Sequence, residues 1–563
     1  MSAGPIFCGQ PWGLLLRDDE PYANFGIISG FGSPRAFVPF GLSITWPGCG
    51  GRPPRAGASF LWRGQRYSSW HIPAGHAEAS SRLNLDLTWR CIEDGSTGTL
   101  CQEGILPRPE AADEDSEVAI QGRFVDWLIH SFQELGQDTL AEDEAAAGGL
   151  VRRNWKRAEA VWLQPDADEP RIELIIRLAQ DARLIQTLES ISRTPRRILL
   201  RVRERTPISR VKELDAACIR NYVRLPGRDA IEKAGSRQEL LSVQRRASHD
   251  TLENRVTAWT LENLTLRAER WKKLHGRRAR TGNRFRAVAA LARHATAYRS
   301  SEMMAEANPA SLSHPVPANY PLMMESRYKQ VYRAYRALLR YDKIKDDSWT
   351  WRRVLWSDAV AQLLSCTLRQ LPPPVRELHS SHPYYRSEPD RGRWLVAPAS
   401  AGPFATPNGP LFIIDSHDAD LLRDGSLASV VDATDPIWQM IGVLGSDQVL
   451  WWPKRKAFFP VWSILWSGDQ SSWRVQLEDA ARAIGVFSSQ LQAAGSAYQV
   501  HRGLLIGSSL ALQEVDIDMA TIAGATAVGI PLPMNLDARD ESAYALVVRT
   551  LAEAIGLAIE YSA

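Results

Sequence analysis

Over the first hundred residues the apolar positions come in short runs: GLLL, FGIISGFG, AFVPFGLSITW, ASFLWRGQRY and LNLDLTW, punctuated by glycine and proline. Runs of this length between turn formers predict β-strands and exclude long helices. One helix-like stretch follows, FVDWLIHSFQELG at 124–136, between acidic stretches at Glu110–Glu117 and Asp138–Glu144 that read as solvated surface or linker. AEAVWLQP at 158–165 and RIELIIRL at 171–178 read as strands, the second buried on both faces by its nearly unbroken apolar run.

From about residue 180 the period changes. AQDARLIQTLESISR, DTLENRVTAWTLENLTLRAERWKKLHG and FRAVAALARHATAYR space their apolar residues by three and four, as amphipathic helices do. Asp250 or Thr251 with Asn254 suits the start of the second. Pro315, Pro317 and Pro321 interrupt the pattern before SRYKQVYRAYRALLRYD resumes it. After Asp346 a helix, WRRVLWSDAVAQLLSCTLRQL, leads into the strands RWLVAPA, GPLFIID, DQVLWWP and AFFPVWSILW. The helix LEDAARAIGVFSSQLQAAG, the strands AYQVHRGLLIGSS and GATAVGIPLPM, and a terminal helix complete the chain. Such alternation predicts an α/β domain around a mixed sheet. The fold class expected is therefore α+β and multidomain: a β-rich N-terminal domain over 1–180, a helical and basic domain over 181–345, and an α/β domain over 346–563.

Bulk composition adds little to this. A chain of 563 residues with 44% hydrophobic and 23% charged residues suits several soluble domains. The 20 tryptophans are unusual and predict many half-buried indoles. The six cysteines, at 8, 49, 91, 101, 218 and 366, show no CxxC pair and read as scattered reduced thiols. No signal peptide and no apolar run of membrane-spanning length is evident, so the expected location is cytoplasmic, with no membrane partner.

The chemistry concentrates at one hairpin. Nucleases of the PD-(D/E)XK type need an acid at the start of one strand, then Asp or Glu, a spacer and Lys on the next. The acids hold a hard divalent cation and the lysine orients the attacking water. Here Asp447 opens the strand QVLWW, the turn runs Pro453–Lys456, and the return strand begins at Ala457. Asp447 stands where the first acid belongs, and Asp358 on the preceding helix stands where such folds often carry Glu. The return strand has lost the rest: from Ala457 to Gly468 there is no Asp, Glu or Lys in any register. Asp415, Lys454 and Lys456 are the nearby residues that migration would need to recruit.

The sequences ENRVTAWTLENL at 253–264, ANYPLMMESRYKQVYRAYRALLR at 318–340 and SDQVLWWPKRKAFFPVW at 446–462 resemble the McrC-like family of nuclease-fold subunits of bacterial restriction and phage-defence systems. That resemblance covers roughly 150–510 and implies a restriction-endonuclease-like fold and an AAA+ ATPase partner of the McrB type. The family's nuclease motif maps only at Asp447 and Asp358. Its Asp/Glu-X-Lys positions are not matched, which implies a nuclease fold without cleavage.

Charge distribution supplies a candidate partner. Between Arg267 and Arg293 stand ten Lys or Arg residues and a single acid, Glu269. Arg270, Lys272, Lys273, Arg277, Arg278, Arg280, Arg284 and Arg286 make this the expected contact to duplex DNA, through phosphate neutralisation. RRILLRVRER at 196–205 is a lesser basic candidate, a strand with one basic face. Trp349, Trp351 and Trp356 suit packing between domains, or base stacking. His71 with His76, and His379 with His382, lack a third ligand at metal spacing, and no GxxxxGK[ST] phosphate loop occurs. The leading expectation is a DNA-binding, non-catalytic defence subunit with no metal or cofactor. An active nuclease with displaced residues, which would need Mg²⁺, and a protein-only scaffold are the alternatives.

Overall fold

A computed structural model of the chain describes residues 7–16, 35–40, 42–45, 58–72, 83–91, 97–104, 150–152, 174–275, 282–370, 376–377, 384–388, 392–396, 401–406, 409–415, 434–465, 470–509, 516–533 and 541–560. The candidate strand 158–165 and the candidate helix 124–136 lie outside the described residues. The chain divides into two compact units, Met1–Arg171 with Lys343–Ala563, and Ile172–Asp342. This differs from the three consecutive domains expected, because the N-terminal strands and the C-terminal sheet share one core.

The N-terminal strands form two small antiparallel sheets. One contains β1 (Phe7–Gly9), β2 (Arg35–Pro39), β4 (Ala58–Trp62) and β5 (Gln65–His71); the other contains β3 (Leu42–Thr45), β6 (Leu83–Cys91) and β7 (Thr97–Gly104). The short β8 (Leu150–Arg152) pairs with a strand of the C-terminal region. Trp12, Phe37, Phe60 and Tyr67 are buried in the same cluster as Trp438, Trp451, Phe458 and Trp462. Trp12 meets Trp462 edge-on with ring centroids 5.6 Å apart, and the Trp462 indole donates to the Leu444 carbonyl at 2.8 Å. Gly445 has φ +59°, and a Cβ there would collide with the Pro11 carbonyl. Conformation and closeness both require glycine at this junction.

The second unit is built from helices around one apolar core. RIELIIRL forms no strand over its described part: α1 (Leu174–Gln180) is helical and buries Leu174, Ile175, Ile176 and Ala179. A run apolar on every side suits a fully buried helix as well as a buried strand, and here packing against helices decides. α2 (Ala182–Arg193) starts at Asp181, whose carboxylate accepts from the amides of Arg183 and Leu184. A two-stranded antiparallel ribbon, β9 (Ile198–Pro207) with β10 (Glu239–Ser248), brackets the short helices α3 (Ala216–Arg224) and α4 (Ala230–Ala234). Then follow α5 (Leu252–His275), α6 (Asn283–Arg299) and α7 (Ser326–Thr350). The Thr251 hydroxyl accepts from the Asn254 amide at the head of α5, as an N-cap does. The buried Asn254 amide donates to the carbonyls of Arg196 and His249, and its oxygen accepts from the Tyr328 hydroxyl.

The C-terminal region of the first unit carries a mixed eight-stranded sheet in the order β11-β14-β15-β16-β17-β18-β20-β19. Its strands are β11 (Arg376–Glu377), β14 (Ala401–Thr406), β15 (Gly409–Asp415), β16 (Gln448–Trp452), β17 (Ala457–Leu465), β18 (Arg502–Ser509), β19 (Asp518–Ile522) and β20 (Ala525–Pro533). Two further strands, β12 (Tyr384–Glu388) and β13 (Gly392–Val396), join β8 in a small sheet. β15, β16 and β17 make an antiparallel meander. β18 then runs parallel to β17 after the crossover helix α9 (Gln470–Ala493), as a parallel pair requires. β16 is buried throughout and β17 almost so, which is why their sequences are continuous apolar runs. The helix α8 (Arg352–Gln370) precedes the meander and α10 (Glu541–Glu560) ends the chain. Trp349, Trp351 and Trp356 are buried at and just before the start of α8, so they serve packing and present no stacking surface. No helix among the described residues is long and apolar enough to cross a membrane.

Candidate functional site

Asp447 precedes β16 in the middle of the eight-stranded sheet and is 1% exposed. Its surroundings come from three parts of the chain. Arg35, the first residue of β2, forms an ion pair with Oδ1 and is itself fully buried. His71, the last residue of β5, places Nε2 3.3 Å from the same oxygen. Across the hairpin, Ser463 of β17 donates its backbone N–H at 2.8 Å, and its hydroxyl, to Oδ2. The Asp447 amide in turn donates to the Val461 carbonyl at 2.9 Å. Burial opposes the charged carboxyl. The Arg35 guanidinium, His71 and Ser463 outweigh it and hold the group well below the usual carboxylate range.

Ser463 is the β17 residue that faces Asp447, and by strand alternation Leu465 shares its side of the sheet. Leu465 is buried. The face opposite Asp447 thus presents a hydroxyl and then a hydrocarbon.

Two further buried arginines stand at the start of α8. Arg353 Nη1 donates at 3.1 Å to the carbonyl of Ile72, the neighbour of His71. Burial pushes the Arg353 guanidinium down to about 10. Its neighbour Arg352 is also buried; it donates to the Trp349 carbonyl at 2.9 Å and lies over the Trp349 ring. Burial, then the adjacent Arg353, lower its pKa well below the ordinary value. Asp358 is buried on α8, and Gln448 Nε2 ties the preceding Ser357 to β16 with bonds of 3.2 Å to its carbonyl and hydroxyl. The residue preceding Asp358 is thus tied to the start of β16. Among the described residues no three His, Cys, Asp or Glu side chains are grouped as a metal shell requires.

Asp415 lies opposite Gln448 in the β15–β16 ladder; its side chain lies outside what the structure describes. Lys454 and Lys456 are exposed in the turn beyond Trp452. The five residues of β16 separate them from Asp447, a span of roughly 17 Å at strand rise. Neither lysine reaches the carboxylate. His76, His379 and His382 lie outside the described residues.

Of the basic segment, Arg277, Arg278 and Arg280 also lie outside them. Arg270 and Lys273 are exposed on α5, while Lys272 is paired with Glu269 at 2.6 Å. On α6 Arg286 is exposed and bonded to Asn283, and Arg284 is half-buried. Trp271 and Phe285 pack the two helices together with ring centroids 6.1 Å apart. The structure thus brings the α5 end and the α6 start together and keeps part of their base exposed.

Arg35, Ser463 and Arg353 are absent from the residues expected at the site, and His71 was expected only as a metal-ligand candidate. One signal for them exists. A lone serine inside AFFPVWSIL needs a partner once the strand is buried, but the pattern does not say which.

A family model described as a domain of unknown function, DUF2357, matches residues 160–335, most of the second unit. No curated protein matches the chain.

Proposed function

We propose that this protein is a non-catalytic, nuclease-fold subunit that binds duplex DNA, as the resemblance to the McrC-like family suggests. One observation carries the reading: the acid expected to hold a divalent cation is instead neutralised by the protein's own Arg35. Ser463 stands where the second acid of a PD-(D/E)XK strand belongs, and Leu465 where its lysine belongs. A carboxylate already paired with a buried guanidinium offers a second cation little attraction. Helix α8, the antiparallel meander, crossover helix α9 and parallel β18 follow the order of elements such a core needs, which supports the fold reading. DNA contact is assigned to the α5–α6 basic segment through Arg270, Lys273 and Arg286. An AAA+ ATPase of the McrB type is the partner that the resemblance supplies.

Incubation with supercoiled plasmid and Mg²⁺ or Mn²⁺ tests this. The expected result is a retarded but intact plasmid. Nicking by the wild type that disappears in Asp447→Asn would overturn the non-catalytic reading in favour of displaced chemistry.

A further inference from the structure

The ribbon β9–β10 and the short helices it brackets carry a large excess of positive charge. Residues 196–248 hold 14 Lys or Arg against six Asp or Glu. That is a net of +8 in a chain totalling +3, so everything else nets −5. The ribbon is also open. It is a two-stranded sheet of ten antiparallel pairs, and most residues of β9 are exposed on both faces, including Leu199 at 63%.

Five of its six acids, all but Glu239, are engaged. Glu213 binds Arg201 and Arg245, Asp215 binds Arg203, and Glu204 binds Arg246. Asp229 caps α4, and Glu232 accepts from the Arg228 amide. Arg197, Arg205, Arg210, Arg224 and Arg237 are exposed, and among the described residues they form no ion pair. Arg201 and Arg245 stand directly opposite each other in the ladder, a like-charge pairing that weakens a ribbon. Glu213 relieves it only partly, at a site where exposed ion pairs contribute little. These arginines therefore add little to the fold.

We infer that the β9–β10 ribbon is a second nucleic-acid surface, which lies along duplex DNA and neutralises its phosphates with Arg205, Arg210 and Arg237 at its far end. Ten residues of strand span about 30 Å, close to one turn of duplex, and a two-stranded ribbon fits the major groove. The exposed Leu199 and Leu200 suit apolar contact with sugars and thymine methyl groups. This inference rests on the proposed DNA-binding reading but places a separate contact, on different elements.

Fluorescence anisotropy of a labelled duplex, titrated with the full chain across a salt series, tests it. The variant R205E/R210E/R237E is compared with R270E/K273E/R286E on the α5–α6 segment. Melting temperature confirms that each variant is folded. Losing three phosphate contacts should lower the log–log salt slope by roughly 2 to 3 and weaken binding at every salt concentration. An unchanged slope and affinity in the ribbon variant, with loss in the α5–α6 variant, would sink this inference and leave the DNA-binding reading standing. Absence of salt-dependent binding by the wild type would sink both.

Discussion

At Asp447 one carboxylate takes up donors from residues far apart in the chain, Arg35, His71 and Ser463. Two ions in the interior are costly unless each satisfies the other, and removing one partner leaves a buried charge. Arg35→Ala should therefore destabilise the chain by about 3 to 5 kcal/mol. Adding Asp447→Leu to Arg35→Met should restore part of the loss, and denaturant melts of the singles and the double measure that coupling. The pH dependence follows from the lowered Asp447 pKa. Its contribution is fully present above the unfolded value of about 4, and it is lost as pH falls below that towards the still lower folded value. Acid melts of the wild type should therefore lose stability below about pH 4, and Arg35→Met should flatten that part of the curve.

At the scale of elements, Asn254 is the joint of the second unit. It sits in the first turn of α5 and binds the carbonyl of Arg196 before β9, the carbonyl of His249 after β10, and the hydroxyl of Tyr328 on α7. Burial pushes the Tyr328 hydroxyl up to about 12, so the hydroxyl is neutral and donates through the physiological range. Asn254→Ala takes the partner from two part-buried carbonyls and a fully buried phenol, and should cost at least about 2 kcal/mol. Thr251→Ala, which removes only a cap, should cost about 1 kcal/mol. Chemical denaturation of the two variants orders them, and equal losses would contradict the role given to Asn254. The β16–β17 hairpin is the counterpart in the first unit. Its apolar strands lock the sheet centre and leave Ser463 as the polar residue of β17 facing Asp447.

At the scale of the molecule, the segment Ile172–Asp342 is continuous and has its own core, while the other unit is assembled from both ends of the chain. Residues 172–342 expressed alone should melt cooperatively. Residues 1–180 alone should not fold, because Trp12, Phe37 and Phe60 would lose the core shared with the sheet, and Arg35 would lose Asp447. Circular dichroism and thermal scans of the two fragments decide this; a cooperatively melting 1–180 fragment would show that the N-terminal strands are independent after all.

The pattern of apolar residues was sufficient for most elements: AFVPFGLSITW, ASFLWRGQRY and LNLDLTW as strands, α5, α7, α8, α9 and the β16–β17 hairpin were legible from period and turn residues, whereas GLLL at 13–16 forms a turn and FGIISGFG lies outside the described residues. It also settled that β17 carries neither acid nor lysine, since no choice of register supplies one. Two things were not legible. RIELIIRL is apolar all round, so its helical form over Leu174–Gln180 came from what packs on it and not from its period. The partner of Asp447 was the other, because Arg35 lies 412 residues away in the chain. Periodicity reports which face of an element is buried, whereas the pairing of buried charges depends on which faces meet, and only the tertiary structure decides that.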